Sequence, residues 1–280
     1  MLHLFTAEIY NSVLIVMGVL AVIVFIALQW IEAPYGMAFR KGWGPSVNNR
    51  VGWIAMEAPA FIAMLWFMLA SPRLSVQTLA SLSAFIPMLI ALLFLFHYFQ
   101  RSFIFPLLMR GKSRMPWAIA LMGAVFNIVN AYMIGGWLFY LSPEDYYEPV
   151  AQLLCGDFSV AVTSPLPIAF VAGLLIFFLG MAINWQSDYI IRHLRKPGET
   201  GHKIPRGGMY DYVSSANYLG EIIEWCGFAI ICWSWAGVMF LLWTCANLVP
   251  RSAKIHQRYI NEFGDEYRSL NRRRIFPFIY

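Results

Sequence analysis

The sequence predicts an all-α, polytopic integral membrane protein: one domain over residues 1–280, seven transmembrane helices, the N-terminus outside and the C-terminus cytoplasmic. Three observations predict it. Sixty per cent of the residues are hydrophobic and only 12% are charged, where a soluble domain carries about 25% charge. The apolar residues gather in runs long enough to cross about 30 Å of hydrocarbon as helices. The basic residues alternate by loop. Nineteen of the 20 Lys and Arg fall in loops that the alternation puts on one side, and only Arg73 falls on the other. Basic loops stay in the cytoplasm, which sets the orientation.

The apolar runs lie at residues 9–30, 52–70, 78–97, 117–140, 165–184, 217–232 and 235–250. The first is unbroken from Val13 to Leu28. No basic segment precedes it and no small-residue cleavage site clearly follows, so it reads as a retained helix. The second carries Glu57 and Pro59, and the third ends in HYFQRSF. The basic loop MRGKSRMP leads into the fourth. An acidic loop with Glu144, Asp145, Glu148 and Asp157 separates the fourth from the fifth and faces outward. The last two runs are short and weakly separated. Five spans would satisfy the charge alternation as well, but the run lengths favour seven. Four cysteines are present, three of them in apolar runs, where a thiol acts as a small hydrophobe. Their spacing suits no metal, and no structural disulfide is expected. The net charge of +5 follows the membrane sides and does not point to nucleic acid.

The stretch from Gly180 to Trp225 organises the chain. It leaves the fifth run, passes through a basic loop and re-enters the membrane carrying acids and amides. Such groups are costly in hydrocarbon and mark functional sites. Asn184, Asp188, Arg192 and Arg195 share one helical face by spacing, and so do Asn217, Glu221 and Glu224. Two polar faces joined by a basic loop suit a pocket for a polar, anionic ligand.

Elsewhere the residues leave two readings open. Glu57 is either a packing carboxyl or a desolvated acid that stays neutral and donates a hydrogen bond. Pro59 would free a helical carbonyl beside it. Tyr98 is either an interfacial anchor or a phenol that polarises a carbonyl. Arg110, Lys112 and Arg114 form either a cytoplasmic flank or a phosphate-recognising loop. Arg251, Lys254 and Arg258 share one face with the same two readings. The terminal IFPFIY, apolar after three arginines, is expected to fold back against the membrane. No Gly-rich dinucleotide fingerprint, Walker loop, zinc cluster or nucleophile elbow is present.

Taken together, INWQSDYIIRHLRKPGE, IPRGGMYDYVSSANYLGEIIEW, the terminal FPFIY, the E-x-P of the second run and HYFQRSF with its RGK loop resemble the 3-oxo-5-alpha-steroid 4-dehydrogenase (steroid 5α-reductase) family. The likeness covers most of the chain, and the compact loops suggest a bacterial member in the inner membrane. The resemblance implies seven helices and NADPH-dependent reduction of the 4,5 double bond of a 3-oxo steroid. It implies that Glu57 and Tyr98 hold the 3-keto oxygen. It further implies a cofactor site of Asn184, Asp188, Arg195, His202, Lys203, Asn217, Glu221, Arg251, Tyr259, Arg110 and Lys112, facing the cytoplasm. No metal is implied. The steroid would enter from lipid, and a monomer would suffice. Three positions depart from the family pattern. Met56 stands where glutamine is frequent, Lys203 where arginine is frequent, and KIHQRY where a histidine-rich run is frequent. The first bears on steroid preference and the others on phosphate contacts. The pattern is also similar to isoprenylcysteine methyltransferases, which would use S-adenosylmethionine. A non-catalytic sterol-binding protein is the third alternative.

Overall fold

The computed structural model describes residues 5–31, 42–73, 82–110, 113–196, 199 and 201–280. Helix α1 (Ala7–Trp30) is apolar on every side, as a lipid-facing helix must be. The Thr6 hydroxyl accepts from the Ile9 amide at 3.3 Å and caps its start. Strand β1 (Ser46–Asn48) leads into α2 (Asn49–Leu69), where the Asn48 side chain accepts from the Arg50 amide. Helix α3 (Leu82–Phe99) passes through a wide π turn (Gln100–Ile104) into α4 (Phe105–Leu108). Strand β2 (Arg114–Pro116) pairs antiparallel with β1 and leads into α5 (Trp117–Gly136). The ribbon brings the first turns of α2 and α5 together. A second π turn (Trp137–Leu141) closes α5. Prolines 106 and 143, which have no amide proton, follow the two π turns closely.

Short helices α6 (Glu148–Leu154) and α7 (Val160–Thr163) build the acidic loop. Helix α8 (Leu166–His193) precedes a 3-10 turn (Gly208–Asp211). Helices α9 (Ala216–Cys232), α10 (Trp235–Phe263) and α11 (Asp265–Arg268) complete the chain. Among the described residues, five segments are long and apolar enough to cross a membrane: Ala7–Trp30, Asn49–Leu69, Ala84–Leu108, Trp117–Leu141 and Leu166–His193. The expected sixth and seventh runs are the helices α9 and α10. Two helices outrun the apolar signal. The fifth apolar run ends at 184, yet α8 continues to His193. The seventh ends at 250, yet α10 continues through Pro250 to Phe263. In both, the backbone stays helical after the composition turns polar. The all-α expectation holds apart from the two three-residue strands.

Two compact units divide the chain. The first comprises Met1–Met17, Ala33–Ala172 and Ala229–Met239. In it α2 packs on α5, with Met56, Ala60 and Met64 buried. The Tyr10 hydroxyl donates to the Met133 carbonyl at 2.8 Å, and the Phe5 ring stacks on Tyr140 at 4.0 Å. Arg73, the one cation expected outside, donates to the Ser142 carbonyl at 2.6 Å and to the Ser142 hydroxyl at 3.0 Å. It therefore joins the end of α2 to the end of α5.

The second unit comprises Gly18–Glu32, Gly173–Phe228 and Phe240–Tyr280. Its frame is a backbone-to-backbone contact between α8 and α9. A Cβ on Gly180 would sit 2.1 Å from the Glu224 amide nitrogen, and one on Gly220 would sit 2.4 Å from that of Asn184. A Cβ on Gly227 would lie 2.3 Å from the Phe177 nitrogen. Gly220 and Gly227 are seven residues apart, two helical turns, so they fall on one face. Small residues permit this approach where lipid supplies no hydrophobic drive between helices. Gly180→Ala is expected to force these backbones apart and destabilise the fold by about 1–3 kcal/mol. Thermal unfolding in detergent, read as a lowered Tm, checks it.

Candidate active site

Each unit contains a polar cluster built on the sequence-predicted residues. In the first, Glu57 projects from α2 and is partly buried, while Tyr98 from α3 is 4% exposed. They meet at Asn127 of α5, which is also buried. The Tyr98 hydroxyl donates to Asn127 Oδ1 at 3.0 Å. Asn127 Nδ2 donates to the Met56 carbonyl at 2.7 Å and to Glu57 Oε2 at 3.2 Å. Three helices thus converge on one amide. Pro59 lies within α2 and leaves the Ala55 carbonyl without a helical donor. Tyr98 lies two residues before the π turn, a backbone irregularity common near functional sites. Its ring packs on Phe94 at 4.5 Å and edge-on to His97 at 5.3 Å. Buried packing and a polar tip aimed at Asn127 suit a positioned donor better than an interfacial anchor.

In the second unit, the glycine contact sets Asn184 of α8 against the first turn of α9. Asn184 Nδ2 donates to the Asn217 carbonyl at 2.9 Å. Asn217 Nδ2 approaches Asp188 Oδ1 at 3.5 Å, and the Tyr210 hydroxyl approaches Asn217 Oδ1 at 3.4 Å. Asn184 and Asp188 are buried, and Glu221 is partly buried one turn further along α9. Burial, reinforced by Asp188, raises the Tyr210 phenol well above its ordinary range. It is therefore a neutral donor at physiological pH.

The expected cations lie in the loop after α8 and on α10. Helix α8 ends before Arg195, so this residue is not on the helical face that spacing assigned to it. It is exposed, and its guanidinium donates to the Gly201 carbonyl at 3.4 Å. His202 pairs with Glu262 at 2.8 Å, and Lys203 pairs with Glu199. Arg251 lies over the Tyr218 ring at 5.5 Å. Tyr259 packs against Tyr267 at 5.1 Å, and burial pushes its phenol up to about 12. Beside it, Lys254, Gln257, Arg258, Asn261 and Glu262 line an open recess of about 470 Å³. Within this unit, buried amides and a carboxylate suit a polar ligand group, and the exposed cations suit an anionic one. Arg110 is exposed past α4 in the first unit, and Lys112 lies outside the described residues. Arg114 is held on the ribbon, its Nε donating to the Ser46 hydroxyl at 2.8 Å.

The C-terminal tail docks on the same unit. Ser214 Oγ donates to the Arg273 carbonyl at 3.0 Å, accepts from the Tyr267 hydroxyl at 2.7 Å and meets His256 Nδ1 at 2.6 Å. Ile275 is fully buried with Tyr210 and Val213, and Phe276 and Tyr280 pack against them. Phe278 and Ile279 stay exposed. The tail therefore folds back onto the loop that carries Tyr210. Two contributors escaped sequence reasoning. Asn127 was visible only as an amide in the apolar run FNIVNAYMIG, and Tyr210 only as one tyrosine of GGMYDY.

The long apolar helices define a helical membrane protein, and buried amides and carboxyls stand on several of them. The family model for 3-oxo-5-alpha-steroid 4-dehydrogenase matches residues 113–280. A steroid 5-alpha-reductase of Gossypium hirsutum is 36% identical over 275 residues, covering 97% of this chain and 97% of its own. The 3-oxo-5-alpha-steroid 4-dehydrogenase 1 of Mus musculus is 36% identical over 264 residues, covering 94% of this chain and 93% of its own. The human protein of that name is 37% identical over 237 residues, covering 84% and 81%. This chain belongs to the 3-oxo-5-alpha-steroid 4-dehydrogenase family, and is thus a membrane oxidoreductase of steroid metabolism.

Burial, then the Arg274 guanidinium, hold His256 below the ordinary imidazole range. Its neutral form therefore contributes stability above about pH 6.5, the unfolded value. That contribution is lost as pH falls through the lower folded value, because the unfolded chain takes the proton first. Melting temperature measured against pH should fall on the acid side, and His256→Asn should flatten that fall.

Proposed function

We propose that this protein reduces the 4,5 double bond of a 3-oxo-Δ4 steroid to the 5α-reduced 3-oxo steroid, using NADPH. The observation that carries the reading is the convergence of Glu57 and Tyr98, from separate helices, on Asn127. NADPH, when bound, supplies the hydride that reaches C5 of the enone. Negative charge then develops on the 3-keto oxygen, and donors placed there stabilise the enolate. A neutral Glu57 and the Tyr98 phenol are such donors. The enolate is completed by a proton at C4, from water or Tyr98. Asn184, Asp188, Asn217 and Glu221 offer the amides and carboxylates that a nicotinamide and its ribose require. Arg195, His202, Lys203, Arg251 and the recess beside Tyr259 offer cations to phosphates. All these cationic residues are on the side that the basic loops assign to the cytoplasm. On this reading α9 and α10 also cross the membrane, giving seven spans. The steroid enters from lipid, and a monomer suffices.

Purified protein given NADPH and a panel of 3-oxo-4-ene steroids should lose nicotinamide absorbance in step with dihydrosteroid formation. No turnover with any member of the panel rejects the reading. Glu57→Leu should lower kcat about 100-fold, the scale of removing one oxyanion donor. Glu57→Gln, whose amide still donates, should lose less. Equal, wild-type rates for both variants would remove Glu57 from the carbonyl site. Arg195→Ala should raise the Kd for NADPH about tenfold, the effect of one charge-assisted hydrogen bond. An unchanged Kd would remove Arg195 from the cofactor site.

A further inference from the structure

The contacts of Asn127 determine which atoms around it can donate. The Met56 carbonyl only accepts, so the amide edge facing it at 2.7 Å is Nδ2. The opposite edge is then Oδ1, an acceptor, and the Tyr98 hydroxyl 3.0 Å away gives its proton to it. The second proton of Nδ2 goes to Glu57 Oε2 at 3.2 Å. In a neutral carboxyl the carbonyl oxygen is the better acceptor, so Oε2 in that role leaves the acid proton of a neutral Glu57 to Oε1.

We propose that Asn127 is a positioning residue for the reduction, on the reading that Glu57 and Tyr98 hold the substrate carbonyl. It assigns the Glu57 proton to Oε1, and it holds the Tyr98 proton until a ketone oxygen takes it. A buried hydroxyl with no acceptor costs about 1–3 kcal/mol, and Asn127 removes that cost before substrate arrives. When a ketone arrives, rotation about the phenol C–O bond exchanges one hydrogen bond for another. No covalent bond breaks, and the net energy of such an exchange is small. The same amide serves both donors, so they present to one oxygen together. Asn127 itself need not touch the steroid.

The test is a double-mutant cycle with Asn127→Leu, Tyr98→Phe and the pair. Leucine keeps the branched shape and removes all three hydrogen bonds. We expect Asn127→Leu to melt within a few degrees of wild type and to lower kcat on the order of tenfold to a hundredfold. In the pair, the loss should be smaller than the product of the single losses, because Asn127 acts through Tyr98. A second readout needs no turnover. With the oxidised nicotinamide present, the carbonyl stretch of a bound 3-oxo-4-ene steroid should move towards its unbound frequency in both single variants. Wild-type kcat and an unshifted carbonyl band in Asn127→Leu overturn the proposal, as do losses that multiply. If Asn127→Leu does not accumulate, Asn127→Ala carries the same cycle. Wild-type kcat in Tyr98→Phe rejects the carbonyl clamp itself. A slowed Tyr98→Phe beside an unaffected Asn127→Leu rejects only the role of Asn127.

Discussion

A polar side chain in a bilayer helix has no water to turn to, and the Asn127 amide is where this constraint is met in the first unit. The Asn127 side chain, inside α5, has its partners on other helices. It finds a backbone carbonyl and a carboxyl on α2, and a phenol on α3. The bonds run across helices that are otherwise packed by methionine, alanine and aromatic side chains. Apolar contacts of that kind are adaptable and specify register weakly. Three directional bonds specify it strongly. The same amide therefore ties α2, α3 and α5 together and meets both Glu57 and Tyr98.

The second unit solves the same problem by another route. Asn184 and Asp188 lie on one face of α8, and their partner is the first turn of α9. The contact is short because Gly180, Gly220 and Gly227 let the two backbones meet. Without that closeness the Asn184 amide would not reach the Asn217 carbonyl. Glycine here supplies distance, and the amides supply direction. Tyr210 then closes the cluster from the loop, and its place depends on the tail.

The tail is held by polar bonds as well as by apolar burial. Ser214 collects Tyr267, His256 and the Arg273 carbonyl within hydrogen-bonding distance. The Arg273 amide donates to the Tyr212 carbonyl at 2.9 Å, and the Ser214 amide donates to the Arg273 carbonyl at 2.8 Å. Arg272 reaches the Pro205 carbonyl at 2.7 Å. The segment from 272 to 280 thus braces the loop that carries Tyr210 and leads into Asn217. Three arginines in a row read as a membrane flank in sequence. In the fold, one of them is largely buried and structural.

The amino-acid sequence alone determined the helices, because hydrocarbon admits few alternatives to long apolar helical runs. It also exposed Glu57, Asn184, Asp188 and Asn217, since an acid or amide inside such a run stands out against its neighbours. Helix ends were less legible, because the backbone of α8 and α10 stays helical after the composition changes. Arg195 lost its assigned face for the converse reason: the helix stops before it. Only the tertiary structure decided what the polar groups do. Asn127 lies 70 residues from Glu57 and 29 from Tyr98, and no local period links them. Composition tells which groups cannot tolerate hydrocarbon alone; the three-dimensional packing of helices selects the partners, because hydrogen bonds depend on distance and direction in space.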